Sequence, residues 1–119
     1  MVLNRSWEKF STKNKTRASV ESQILEAIDE GLSVLGESPR SALFFHVEKT
    51  CNLKREDIPV KLDAFHNCLK HYFDVGSFII ERMIARVYFR NMNLVFEEHR
   101  QWTLAEYVQL ARSELNSSF

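Results

Sequence analysis

The chain is short of the residues that punctuate a β fold: in 119 residues it holds three glycines and two prolines. That is too few turn formers for a sandwich or barrel, and the expectation is all-α. Cysteine is scarce too. Cys51 and Cys68 are too few and too unpatterned for a secreted disulfide scaffold or a CxxC site, so they read as reduced thiols in a helical core. No apolar run reaches the roughly 18 residues that cross a bilayer, and Met1-Val2-Leu3 is too short an apolar start for a signal peptide. A cytoplasmic protein with no membrane partner is expected. Catalytic signatures are also missing: there is no glycine-rich phosphate loop, no paired-carboxylate motif and nothing that marks an oxyanion hole. Neither an enzyme nor a cofactor is expected.

Net charge is absent as a total, with 16 Lys and Arg against 16 Asp and Glu, but the charges are segregated. Residues 1–18 carry Arg5, Lys9, Lys13, Lys15 and Arg17 against Glu8 alone, a balance of +4. Residues 19–37 carry Glu21, Glu26, Asp29, Glu30 and Glu37 with no cation, a balance of −5. What the chain has in quantity is apolar and aromatic side chain, 45% and 12% of its residues. A chain this size buries about two-thirds of its unfolded surface, enough for a core without staples. One domain follows, a basic arm over 1–18 and a helical body over 19–116.

Spacing predicts five helices in a single bundle. The first runs from about Ser19, a suitable N-cap, to Leu35, with Val20, Ile24, Ala27, Ile28, Leu32 and Leu35 on one stripe and Gly36 as its stop. Gly31 weakens its last turn. The second opens at Ser38-Pro39 and reaches about Thr50; the fourth opens at Gly76-Ser77 and spans about 77–91. Both are apolar over most of their circumference, which predicts a central place for each, with residues 77–91 as the hub. Between them lies a loop over Asn52–Val60, pinned by Ile58-Pro59. A third helix follows over Leu62–Phe73, with Leu62, Phe65, Leu69, Tyr72 and Phe73 inward. Residues 93–101 favour no element. Thr103 and Glu106 form a capping box, with Trp102 and Tyr107 at the staple positions, and start the fifth helix.

Four groups of side chains are candidates for function. Arg82, Arg86 and Arg90 stand at i, i+4 and i+8 on one stripe; they suit phosphate or an acidic partner, or else pair with the acidic first helix. The basic arm, with Trp7 and Phe10, suits nucleic acid through counterion release and stacking, or else is a solvated or docking segment. Cys68 and His71, three apart, are spaced to share a zinc ion, but His66 faces elsewhere on the helix and Cys51 is recruited only by the fold; no metal is expected. The adjacent Phe44 and Phe45 differ by 100° in direction and need two contact surfaces, so one ring is free for a partner unless the bundle wraps the helix fully.

The block from Ser41 to Arg90 combines Ala42-Leu43-Phe44-Phe45-His46-Val47-Glu48-Lys49, Leu53-Lys54-Arg55-Glu56-Asp57-Ile58-Pro59, Phe65, Leu69, Phe73, Gly76, Ile80-Glu81 and Ile84. It resembles the archaeal signalling output-domain family named after Nitrosopumilus, with Phe73-Asp74-Val75-Gly76 in place of that family's Phe-Gly-x-Gly-like turn. The resemblance implies a non-enzymatic regulatory module with no functional residues to carry over. The expected function is therefore signalling or regulation by protein contact, including homodimerisation, through Phe44, Phe45, Arg82, Arg86 and Arg90. A small nucleic-acid-binding regulator using Arg5, Lys9, Lys13, Lys15, Arg17 and the same arginine stripe is the alternative.

Overall fold

The structure, a computed structural model, describes residues 16–117 and contains no strand among them. Five α-helices follow in order: α1 (Thr16–Ser33), α2 (Glu37–Cys51), α3 (Leu62–Phe73), α4 (Gly76–Asn91) and α5 (Leu104–Ser117). A 3₁₀ helix over Arg55–Val60 joins α2 to α3 and buries Ile58 and Pro59. None of these helices is long and apolar enough to cross a membrane.

α4 is the helix against which α1, α3 and α5 pack. Its buried side chains, Ser77, Ile80, Glu81, Ile84, Ala85, Tyr88 and Phe89, recur every three or four residues and form one broad stripe. α1 lies on that stripe through Ile24, Ala27, Ile28 and Leu32, all buried. Gly31 has a specific reason to be there: a Cβ built on it would stand 3.0 Å from the Ile84 Cα. The glycine lets two backbones meet where any side chain would push them apart, at the cost of the helix weakening expected from the sequence.

The predicted boundaries shift at three places. α1 begins at Thr16 rather than Ser19 and ends at Ser33, with Leu35 exposed beyond it. Gly36 does take a positive φ of 105°, but with ψ of 159° it caps the start of α2 rather than closing α1. Ser38 is consequently inside α2 and not its cap, because the Arg40 N–H donates to the Gly36 carbonyl at 3.1 Å and closes the first turn two residues earlier.

Three expectations are overturned. α2 is peripheral: it packs chiefly on α3 and α1, burying only Leu43 and Val47 fully. The apolar residues Ala42 and Phe45 face outward, as do Tyr72 and Phe73 at the end of α3. The cysteines are not reduced thiols, because α2 ends against the middle of α3, where Cys51 and Cys68 come within 6.2 Å (Cα–Cα) and form a disulfide. That bond and the expected cytoplasmic setting pull in opposite directions, since reducing compartments open such bonds.

The disulfide ties the peripheral helix to the core across 17 residues. A loop of that length constrains the unfolded chain by about 3 kcal/mol. Replacing both cysteines by serine is expected to lower the urea-unfolding free energy by about that amount. An unchanged midpoint, or two titratable thiols in the untreated native protein, would contradict it.

Candidate functional site

Glu81 is an acid within the apolar stripe of α4, and its side chain is wholly buried, at 0% exposure. A carboxylate is tolerated there only if its lone pairs are occupied. They are: Oε1 accepts the Leu104 N–H at 2.7 Å, and Oε2 meets His66 Nδ1. The first contact places a carboxylate at the N-terminus of α5, where the helix dipole and an unpaired N–H both favour it. The capping box completes the same helix start. The Thr103 N–H donates to Glu106 Oε1 at 2.8 Å and the Glu106 N–H to Thr103 Oγ1 at 3.3 Å. Glu81 thus joins α3, α4 and α5 at one point. Burial pushes its carboxyl above the usual range, opposed by the Leu104 N–H and His66, with the Glu106 charge adding to the rise.

Residues 94–103, most of which fall in the stretch 93–101 that favoured no element in the sequence, form an irregular strap that returns along α4 to this point. Aromatic packing holds it. Phe96 lies against Phe89 and Tyr107 with ring centroids 5.4 and 5.2 Å away, and Trp102 meets Tyr107 at 5.2 Å as the staple requires. The Tyr107 hydroxyl donates to the His99 carbonyl at 2.9 Å, and the His99 ring stacks on Trp102 at 3.8 Å. Much of the aromatic excess in the composition is spent here.

Between the strap and the first half of α4 is a cleft of about 940 Å³. Val75, Phe78, Ile79 and Arg82 form one wall; His99, Arg100, Gln101 and Trp102 form the other. A second depression, about 140 Å³ and almost entirely apolar, lies between α2 and α3 and is lined by Pro39, Ala42, Leu43, His46, Val47, Tyr72 and Phe73. Phe45 stands beside it at 58% exposure, its ring 5.5 Å from that of His46 and covered on one side by Lys49 Nζ at 5.6 Å. The Tyr72 hydroxyl donates to Thr50 Oγ1, fixing the aromatic edge of this face to the end of α2.

The arginine stripe is engaged with carboxylates of its own chain. Arg90 pairs with Glu30 of α1, whose carboxyl it holds below the usual range by hydrogen bond and charge. Arg86 and Arg82 share Glu98 on the strap at 3.3 and 3.6 Å, and Arg86 also lies 5.0 Å over the Phe96 ring. Phe44 is half-buried under the Arg55 guanidinium, 5.7 Å away. Arg55 and Arg40 both donate to Asp29, joining the 3₁₀ helix and α2 to α1. Arg5, Lys9, Lys13 and Lys15 lie outside the described residues, and Arg17 falls in the first turns of α1. The structure therefore brings Phe45 to an open face, seats Phe44 against its own chain, and turns the three arginines to internal partners.

Cys68 and His71 cannot share a zinc ion, because the Cys68 sulfur is committed to Cys51. Among the described residues no group of three or more His, Cys, Asp or Glu is placed to hold a metal. Sequence reasoning passed over Glu81. The available signal was an acid in register with Ser77, Ile84, Ala85 and Tyr88 on a stripe otherwise meant for burial. Compared with known proteins, the chain matches no family model, no curated protein and no solved structure.

Glu81→Ala leaves the Leu104 N–H and His66 without their partner and opens a cavity, so a loss of about 3 kcal/mol in unfolding free energy is expected. Glu81→Gln isolates the charge. A carboxyl whose pKa is raised on folding stabilises most below its unfolded value, near 4.5, and that contribution disappears as pH rises through the folded value. Native stability relative to Glu81→Gln should therefore fall as pH rises from 4.5 towards neutrality in urea unfolding. A difference that stays flat or grows would refute the assignment.

Proposed function

We propose that this chain is a non-enzymatic signalling or regulatory module that acts by protein contact, with a second copy of itself as the partner seated on α2. The observation that carries this reading is the outward face of α2. Ser38, Ala42, Phe45 and Lys49 recur at intervals of four, three and four and share one stripe, and all are exposed. The small side chains of Ser38 and Ala42 leave room for a close helix, and Phe45 provides a ring to fill it. Charge at the start of α2 is already engaged, since Glu37 pairs with Arg40 of the same helix at 3.0 Å, which leaves the apolar stripe and Lys49 to make the contact. Tyr72 and Phe73 extend the apolar surface onto α3. The resemblance of residues 41–90 to a regulatory output family supports the same class of function. Arg86 and Arg90 supply no register here, since each is paired with a carboxylate of its own chain, and Arg82 faces the strap rather than α2.

Sedimentation velocity across a concentration series tests this. A monomer–dimer equilibrium is expected that responds weakly to salt, as apolar contacts do, whereas nucleic-acid binding would weaken steeply with it. Phe45→Asp is expected to shift the dissociation constant at least about tenfold while leaving the thermal midpoint of the monomer within about 2 °C, because the ring is outside the core. A strictly monomeric native chain at millimolar concentration would overturn the proposal, as would a dimer indifferent to Phe45→Asp.

A further inference from the structure

The cleft between α4 and the strap has features that a merely exposed surface lacks. Val75, Phe78, Ile79 and Arg82 stand at i, i+3, i+4 and i+7, so one wall is an apolar ridge that ends in a guanidinium. Val75 and Ile79 are 71% and 57% exposed, large aliphatic side chains left in water on that ridge. The facing wall offers the Trp102 indole, steadied by its stack on His99, and the exposed residue Arg100, whose cation is within the same lining. The lining residues include two arginines and no carboxylate.

Arg82 is the most informative member. Its side chain is only 23% exposed, yet its donors are poorly used. Nε is buried with no acceptor among the described residues. The terminal nitrogens reach Glu98 Oε2 at 3.6 Å and the Arg100 carbonyl at 3.5 Å, both at or beyond the limit of a useful hydrogen bond. Glu98 is in any case shared with Arg86, which is closer to it at 3.3 Å. A largely desolvated guanidinium with one unpartnered nitrogen and two long contacts is costly unless an anion completes it.

We infer that this cleft binds an amphipathic carboxylate: an acid group held by Arg82 and Arg100, with a short apolar body lying along Val75 and Ile79 and against Trp102. The planar carboxylate matches the guanidinium fork in a way that a point-charge site does not. From Val75 to Ile79 the helix rises about 6 Å, which suits a chain of about five or six carbons. The same chemistry is found in a free aliphatic acid and in the C-terminal carboxylate of a protein ending in aliphatic residues. The site is separate from the α2 face and does not depend on dimer formation.

The test is an NMR titration of the full chain labelled with ¹⁵N, following the Trp102 indole N–H, the Arg82 Nε–H and the Val75 and Ile79 amides. The probes are hexanoate and N-acetyl-leucyl-leucine with a free carboxylate; acetate and hexan-1-ol are the controls for charge without body and body without charge. Saturable shifts confined to the cleft are expected with at least one probe, and binding at least about tenfold weaker for both controls. Tighter binding of the dipeptide assigns the site to a protein C-terminus, and tighter binding of hexanoate to a free acid. Arg82→Gln is expected to weaken the preferred probe about tenfold or more. Arg100→Gln, on the exposed strap, should weaken it in the same direction and serves should Arg82→Gln fail to fold. No saturable shift with either probe up to about 20 mM, or equal affinity in a folded arginine variant, would overturn the inference.

Discussion

A single buried carboxylate organises this fold. Glu81 lies on the face of α4 that the rest of the bundle covers, and a charge there survives only because α3 and α5 each bring it a partner, His66 and the Leu104 N–H. The dependence is mutual. α5 starts where it does because a carboxylate awaits its first amide, and the strap that leads into α5 is drawn along α4 to reach that point. Apolar burial supplies most of the driving force, but it is indifferent to small slips of one helix along another. A hydrogen-bonded acid is not. Such a group costs stability compared with a well-packed aliphatic residue and in return fixes the register of three elements.

The two open surfaces follow from the same construction. The cleft exists because the strap is anchored at both ends, by Phe96 in its aromatic cluster and by Trp102 beside the capped start of α5, leaving its middle spaced away from Val75 and Ile79. The α2 face exists because α2 is held from its inner side alone: by Leu43 and Val47, by the disulfide to α3, and by Asp29 receiving Arg40 and Arg55. Its outer side is left to water or to another molecule.

Much of the architecture was legible in the sequence because the relevant signals are local. The capping box at Thr103 and Glu106 and the Trp102–Tyr107 staple need only six consecutive residues, and both are formed as expected. Periodicity located the α4 stripe and the inner face of α1. It failed for α2, where Ala42, Phe44 and Phe45 imitate the composition of a central helix although only Leu43 and Val47 are buried deeply. It also placed Tyr72 and Phe73 inward, whereas both are exposed beside the peripheral α2. The remaining misses are tertiary. The closeness of Gly31 to Ile84, the meeting of Cys51 with Cys68, and the partners of Glu81 depend on which helices touch, and nothing within a window of ten residues encodes that. Arg82 and its neighbours were visible as a stripe, but only the path of the strap decides that Glu98 serves two of them and satisfies one poorly.

The most direct test of this account is a ¹³C titration of the Glu81 side-chain carboxyl with the Leu104 amide proton followed in parallel. A buried acid shared by three helices should titrate above the ordinary glutamate range, and the Leu104 proton should shift with the same midpoint because it hydrogen-bonds that oxygen. A carboxyl that titrates near 4.5 like an exposed glutamate, or a Leu104 amide blind to it, would show that the three helices do not meet at Glu81.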